Sequence, residues 1–391
     1  MPVNFQEIQR QVKEMGRQAP QREKKLREKR QQAENLLQAC SDRLEELIRR
    51  VEQAVSHNSA LRCAVPVEES LTFASLPQPI QGSIVLLAAD GSQVNPSRHD
   101  PVEFGVINIG AIRIIPGQAE PPLEITRSTL LYQDALYSEA GPLTEEIVAL
   151  RRDLNERKML AELAAKEELP VVALTDGPME LFREPKENKE FRESFKDYLQ
   201  ALRQLAGLQV SAAGYVDKPR ADLVVRLLEL MILSEDELSQ AGKTRPLEGV
   251  TDEDLFCQLL QPGQRSAVFA IQSTSSKDFS GSLALHFFFL NVGRSDHPYV
   301  ARVEVPQWVV QKPELLNMIH FTLVAQCLQM GNRPYPYALH RAHEVALVSF
   351  AEKAQLQDMI AVELLRQGVD AGQKSNKQVH KDQSGTRTRY K

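Results

Sequence analysis

The chain opens on helical periodicity. From Ala33 the apolar positions fall at Ala33, Leu37, Cys40, Leu44, Leu47, Val51 and Ala54, an unbroken alternation of four and three. That spacing gives a helix one apolar seam, the pattern of a coiled coil or a helical hairpin. Residues 5–58 are expected to be helical. Pro20 is expected to divide them, because proline lacks the N–H that the preceding turn needs. The segment 1–60 reads as a coiled-coil arm for packing or oligomerisation.

From residue 83 the pattern changes to short apolar runs rich in β-branched residues. Strands are expected at 83–89, 103–115 and 123–132, with the Pro116-Gly117 turn supporting a meander. A helix over 143–168 follows Gly141-Pro142 and carries acids in its first turn, where the helix dipole favours them. A strand at 170–175 completes the order β-β-β-α-β. Further on, the pattern predicts helices at 186–206 and 220–233, a strand at 208–216 and a polar loop at 234–249. Strands at 282–292 and 299–305 come next, then helices at 313–330, 337–350 and 356–367. Past Gly368 the Gly, Ser, Gln, Lys and Thr content predicts a disordered basic tail, 368–391. The body is thus 83–367.

Two of these strands run into the same dipeptide. Ile84-Val-Leu-Leu-Ala-Ala-Asp-Gly91 is one, and Val171-Val-Ala-Leu-Thr-Asp-Gly177 is the other. An α/β fold keeps its polar chemistry at such strand ends, so Asp90 and Asp176 can lie side by side at one sheet tip. Paired carboxylates there suit Mg²⁺ or Mn²⁺. Asp-Gly is also a common turn, since Asp bonds its own backbone and Gly accepts a positive φ. The helix between them offers Glu145, Glu146, Glu156, Glu162 and Glu167. Glu156 shares a face with Met159, Leu160 and Leu163, while Leu143, Ile147, Leu150, Leu154 and Ala161 form a competing stripe. Periodicity does not choose between them. Far downstream, Tyr335 and His343 flank the start of a helix; an imidazole can ligate Mn²⁺ or orient water, and a phenol can bond a phosphate.

The strand order, with acids after the first and fourth strands and on the helix between, resembles the ribonuclease-H-like nuclease fold: a mixed sheet flanked by helices. In that fold two acids bridge a pair of divalent ions that activate water and stabilise the leaving oxygen. The motifs narrow the resemblance. Ala88-Ala-Asp-Gly-Ser-Gln93, the Leu150-Arg-Arg-x-x-x-Glu156 helix, Leu174-Thr-Asp-Gly177 and Tyr335-Pro-Tyr-Ala-Leu-His-Arg-Ala-His343 look like successive motifs of the NurA nuclease family. Tyr215-Val-Asp-Lys218 and Arg302-Val-Glu-Val-Pro306 resemble it too. The match covers about 83–350. A Pro follows Gly177 where a small residue such as Ser is expected.

The resemblance implies a Mn²⁺- or Mg²⁺-dependent deoxyribonuclease using two ions. It implies exonuclease and single-strand endonuclease cutting, in DNA end processing and double-strand-break repair. It also implies a homodimer working with a hexameric HerA-type ATPase. Asp90, Glu156, Asp176 and His343 would be the metal-site and catalytic residues, Tyr335 an active-site companion, and Lys218 and Arg302 contacts to DNA phosphates. A non-catalytic DNA-end or ATPase adaptor that keeps the fold is the alternative, and a metal-dependent phosphatase a third.

Composition changes this picture little. The 391 residues are 42% hydrophobic and 25% charged, as in an ordinary globular protein, and the formal net charge of −5 does not itself favour a polyanion. The distribution matters more: between Arg10 and Arg30 nine Lys/Arg stand against three Glu. A basic arm of this kind is compatible with nucleic-acid contact or with a solvated helix face. Cys40, Cys63, Cys257 and Cys327 are scattered without a C-x-x-C pair, which argues against a zinc knuckle or disulfide scaffold. With no signal pattern or 18-residue apolar run, a cytoplasmic protein without membrane contact is expected.

Overall fold

The computed structural model describes residues 3–138, 141–181, 189–370, 372, 373, 375 and 376. Most of the expected disordered tail, and residues 184–188 ahead of the charged helix, lie outside the described residues. The chain forms two compact units, each assembled from distant segments. One comprises 1–79, 177–181 and 214–334; the other comprises 80–176, 182–213 and 335–391.

In the first unit the N-terminal arm is a helix, Phe5–Ala39, followed by a second, Leu44–His57. Pro20 does not divide the first helix, which runs through it. The missing N–H leaves the Gly16 carbonyl without its helical bond, but that stretch is exposed and water can take its place. The break falls instead at residues 40–43. Ala33, Leu37, Cys40, Leu47, Val51 and Ala54 of the apolar stripe are buried. They pack inside this unit, against the helices Leu223–Ile232 and Asp252–Leu259 and the strand Cys63–Pro66.

The unit's strands pair antiparallel in the order Cys63–Pro66, Phe269–Gln272, Leu285–Asn291 and Val300–Pro306. The last also pairs with residues 214–216. Two of these strands, Cys63–Pro66 and Phe269–Gln272, and the Asp252–Leu259 helix were not expected from the pattern, and the 234–249 loop holds a short helix, Glu235–Leu238. The Phe287 and Phe289 rings join Phe256 and Phe269 in the core, Phe256 stacking on Phe289 at 4.3 Å between centroids.

The second unit carries the expected β-β-β-α-β order. Its sheet runs Leu123–Leu131, Gly105–Ile114, Val85–Val94, Val171–Asp176, the first three antiparallel and the fourth parallel to Val85–Val94. The crossover helix, Glu145–Ala164, packs on the sheet and against the Lys189–Gly207 helix. Its buried residues include Ile147, Leu150, Leu154, Met159, Leu160 and Ala161, so both competing stripes are covered and Glu156 with them. Thr144 caps its start, accepting from the Ile147 N–H at 3.4 Å. The helix Tyr337–Ala346 also lies on this sheet, and Phe350–Arg366 follows it. Among the described residues no helix is long and apolar enough to cross a membrane, and the four cysteines are free.

Candidate active site

The strand bearing Asp90 does not stop there. It continues through Gly91 to Val94, because its antiparallel partner pairs along the whole length, with Asp90 opposite Gly110. The parallel partner ends sooner: Ala89 is opposite Thr175, and Asp176 is the last residue of its strand. The first Asp-Gly is therefore strand and the second a strand end, with Gly177 at φ 78°.

Alternation along the strand sends neighbouring side chains to opposite faces. Asp90 faces the Tyr337–Ala346 helix, and its Oδ2 lies 2.6 Å from His343 Nδ1. Oδ1 of the same carboxylate accepts from the Gly91 N–H at 2.8 Å. Gly110 explains how that helix comes so near. A Cβ there would lie 2.5 Å from the Ala346 nitrogen and 2.7 Å from the Ala342 oxygen, so only glycine lets the helix backbone rest on the strand. Ser92 Oγ and Asn108 Nδ2 then donate to the Ala346 carbonyl at 2.6 and 2.7 Å, tying down the helix's last turn.

Gly91 faces the other way, toward the crossover helix. A Cβ on it would meet Arg152 Cγ at 2.5 Å and Glu156 Oε1 at 2.9 Å. Glu156 is 4% exposed, and its Oε2 accepts from Arg157 at 2.6 Å while Oε1 lies 3.6 Å from Arg152 Nε. Burial pushes the Glu156 carboxyl up to about 8, against the pull of the Arg157 and Arg152 guanidinium groups. Asp176, at the strand end, accepts through Oδ1 from the Tyr335 hydroxyl at 3.0 Å.

The structure thus assembles the acids as linked pairs: Asp90 with His343, Asp176 with Tyr335, Glu156 with Arg157. Carboxylate oxygens are the hard donors that Mg²⁺ or Mn²⁺ takes, and an imidazole nitrogen is a softer donor that suits Mn²⁺ better than Mg²⁺. Among the described residues, however, no three such side chains come close enough to cage an ion. The set fits a cation held by one or two carboxylates and completed by waters and substrate phosphate oxygens, which is how Mg²⁺ is commonly bound.

The two basic residues expected to touch phosphate differ sharply. Lys218 is exposed in the loop after the Ser211–Val216 strand, at φ 46°. Arg302 is 6% exposed, its Nη2 2.8 Å from Glu304 Oε1 and its guanidinium 6.0 Å from the Phe287 ring centroid. It is a core ion pair, away from solvent. Glu304, fully buried, accepts in turn from the Met179 N–H at 2.8 Å. Arg157, which no pattern in the chain singles out, is a buried cation bonded to one of the acids.

An antiparallel meander, a crossover helix and a parallel fourth strand, with acids on the first strand, the helix and the fourth strand's end, define a ribonuclease-H-like fold. The family model described as the NurA domain matches residues 84–348. The chain belongs to the NurA family. Among solved structures it is similar to the NurA nuclease from Sulfolobus solfataricus, at 11% identity and TM-score 0.47 over 83% of this chain and 94% of that one. It is also similar to the catalytic domain of human Endonuclease V, at 15% identity and TM-score 0.30 over 82% and 98% of the two chains. LC9-RNase H1, a type 1 RNase H with the type 2 active-site motif, matches at 16% identity and TM-score 0.23 over 45% and 81%. No curated protein matches.

Proposed function

We propose that this NurA-family chain is a divalent-metal-dependent deoxyribonuclease that hydrolyses phosphodiester bonds. The observation that carries the reading is the 2.6 Å contact between Asp90 and His343 on a ribonuclease-H-like sheet whose neighbouring strand ends in Asp176. Asp90 and Asp176, with Glu156 from the crossover helix and His343, are the residues that would hold Mn²⁺ or Mg²⁺. When bound, such ions polarise the phosphate and make a bound water more acidic.

The chain's own groups do the rest. Asp90 accepts from His343 Nδ1–H, which fixes the tautomer and leaves the Nε2 lone pair either to meet the ion or to take a proton from a nucleophile. The Tyr335 hydroxyl, donating to Asp176 Oδ1, orients that carboxylate. Lys218 is the exposed cation that would meet a phosphate.

Family membership supports DNA as the polymer and exonuclease with single-strand endonuclease cutting in the processing of DNA ends. It likewise supports a homodimer and a hexameric HerA-type ATPase as partner. The test is cleavage of end-labelled single- and double-stranded DNA with EDTA, Mg²⁺ or Mn²⁺, for wild type and Asp176→Ala. Cutting that needs the metal and vanishes in the variant is expected. No cutting by the wild type, with or without its ATPase, would favour a non-catalytic adaptor.

A further inference from the structure

A buried cation lies behind the acids. Arg157 follows Glu156 on the crossover helix and is 3% exposed. Its Nη1 donates to Glu156 Oε2 at 2.6 Å and to the Asp153 carbonyl at 3.3 Å. Nη2 donates to Thr175 Oγ1 at 3.3 Å, one residue before Asp176. The guanidinium sits 5.4 Å from the centroid of the Tyr198 ring, on the Lys189–Gly207 helix. The group is therefore held from its own helix, from the Asp176 strand and from a second helix, all within one unit.

We propose that Arg157 is a positioning residue for the acidic site. By occupying Oε2 it fixes the Glu156 rotamer, so that Oε1, facing Gly91 and 3.6 Å from Arg152 Nε, is the oxygen that carboxylate can offer to a divalent cation. By bonding Thr175 it ties the same carboxylate to the strand that ends in Asp176. Arginine suits the task because its rigid planar fork reaches two acceptors at once. Lysine would keep the charge and lose the bridge. Outer partners that orient a ligating side chain govern metal affinity by about 10–100-fold. The inference rests on the metal-dependent reading above.

The experiment is Mn²⁺ titration of the full chain, following loss of the free-ion electron paramagnetic resonance signal, for wild type, Arg157→Lys and Thr175→Val. Circular dichroism melts report whether each variant is folded. Arg157→Lys is expected to bind Mn²⁺ about 10–100-fold more weakly, Thr175→Val to shift in the same direction by less, and DNA cleavage to fall in that order. A folded Arg157→Lys with wild-type Mn²⁺ affinity would overturn the positioning role. Should Arg157→Lys fail to fold, Thr175→Val decides, and unchanged affinity there overturns the bridge. A wild type that binds no Mn²⁺ at all would instead sink the metal-dependent reading, and the inference with it.

Discussion

Asp90 and His343 meet at 2.6 Å, one from the middle of a strand and the other from a helix 253 residues later. Neither acts alone in this arrangement, since the carboxylate sets the imidazole tautomer and the imidazole occupies one carboxylate oxygen. Asp90→Asn and His343→Ala should each lower cleavage about a hundredfold or more, with near-native melts. The double variant should lose little beyond the worse single, because groups acting as one unit are not additive. Cleavage rates for the four proteins of the cycle check this; multiplying losses would show that the two residues act independently.

Gly110 touches no reacting atom, yet its substitution should disable the site. A Cβ 2.5–2.8 Å from the Ala342–Ala346 backbone forces the helix off the strand and carries His343 away from Asp90. Gly110→Ala should destabilise by about 1–3 kcal/mol, as overpacking does, and reduce cleavage more than that loss of folded protein explains. Denaturant curves read beside activity at a temperature where the variant is folded separate the two effects.

Lys218 and Arg302 should behave as opposites. Lys218→Ala should weaken DNA binding evenly across sequences and reduce the slope of log affinity against log salt by about 1. Arg302→Ala strands Glu304 in the core and should cost about 3–5 kcal/mol of stability. Salt-dependent binding measurements and urea melts on both variants test the contrast; a stable Arg302→Ala with a reduced salt slope would restore it as a DNA contact.

Asp252 links stability to pH. It is fully buried, and its Oδ1 accepts from the Val224 and Val225 N–H groups at 2.9 Å each, capping the Leu223–Ile232 helix from a neighbouring one. Burial pushes its carboxyl up to about 7. Between an unfolded value of about 3.9 and that folded value, the folded chain holds a proton that the unfolded chain lacks. This contribution is present in full below the unfolded pKa and is lost as pH rises through 7. Asp252→Asn keeps the acceptor and cannot ionise. Its stability relative to wild type should improve from pH 5 to pH 8 by on the order of a few kcal/mol, as paired urea titrations would show.

The periodic parts of the fold were readable. Alternating and apolar runs located the four strands of the second unit and its crossover helix, and with them Asp90 and Asp176. What escaped depends on partners remote in sequence. Asp90-Gly91 reads locally as a turn, but pairing with Gly105–Ile114 holds it extended. Pro20 reads as a break, yet an exposed helix tolerates one lost bond. Arg302 reads as a surface cation until the burial of every residue in Val300–Pro306 is seen. Arg157 had no signal at all, because a charge adjacent to a charge on a helix matches the pattern of a solvated face. Selecting Glu156 among five helical acids likewise needed the family motifs, since both stripes of its helix turn out to be covered.

The long separation of Asp90 from its imidazole also sets an order of events during synthesis. At about 5–20 residues per second, His343 is made on the order of 10–50 seconds after Asp90. Until residues 335–343 are made, Asp90 and Asp176 lack the histidine and the tyrosine that engage them. A chain stopped at residue 334 would contain the whole meander, the crossover helix and the Asp176 strand, and would still lack the His343 and Tyr335 side chains that bond Asp90 and Asp176. Synthesis of the Tyr337–Ala346 helix and the Tyr335 before it is in this sense the step that brings both contacts within reach.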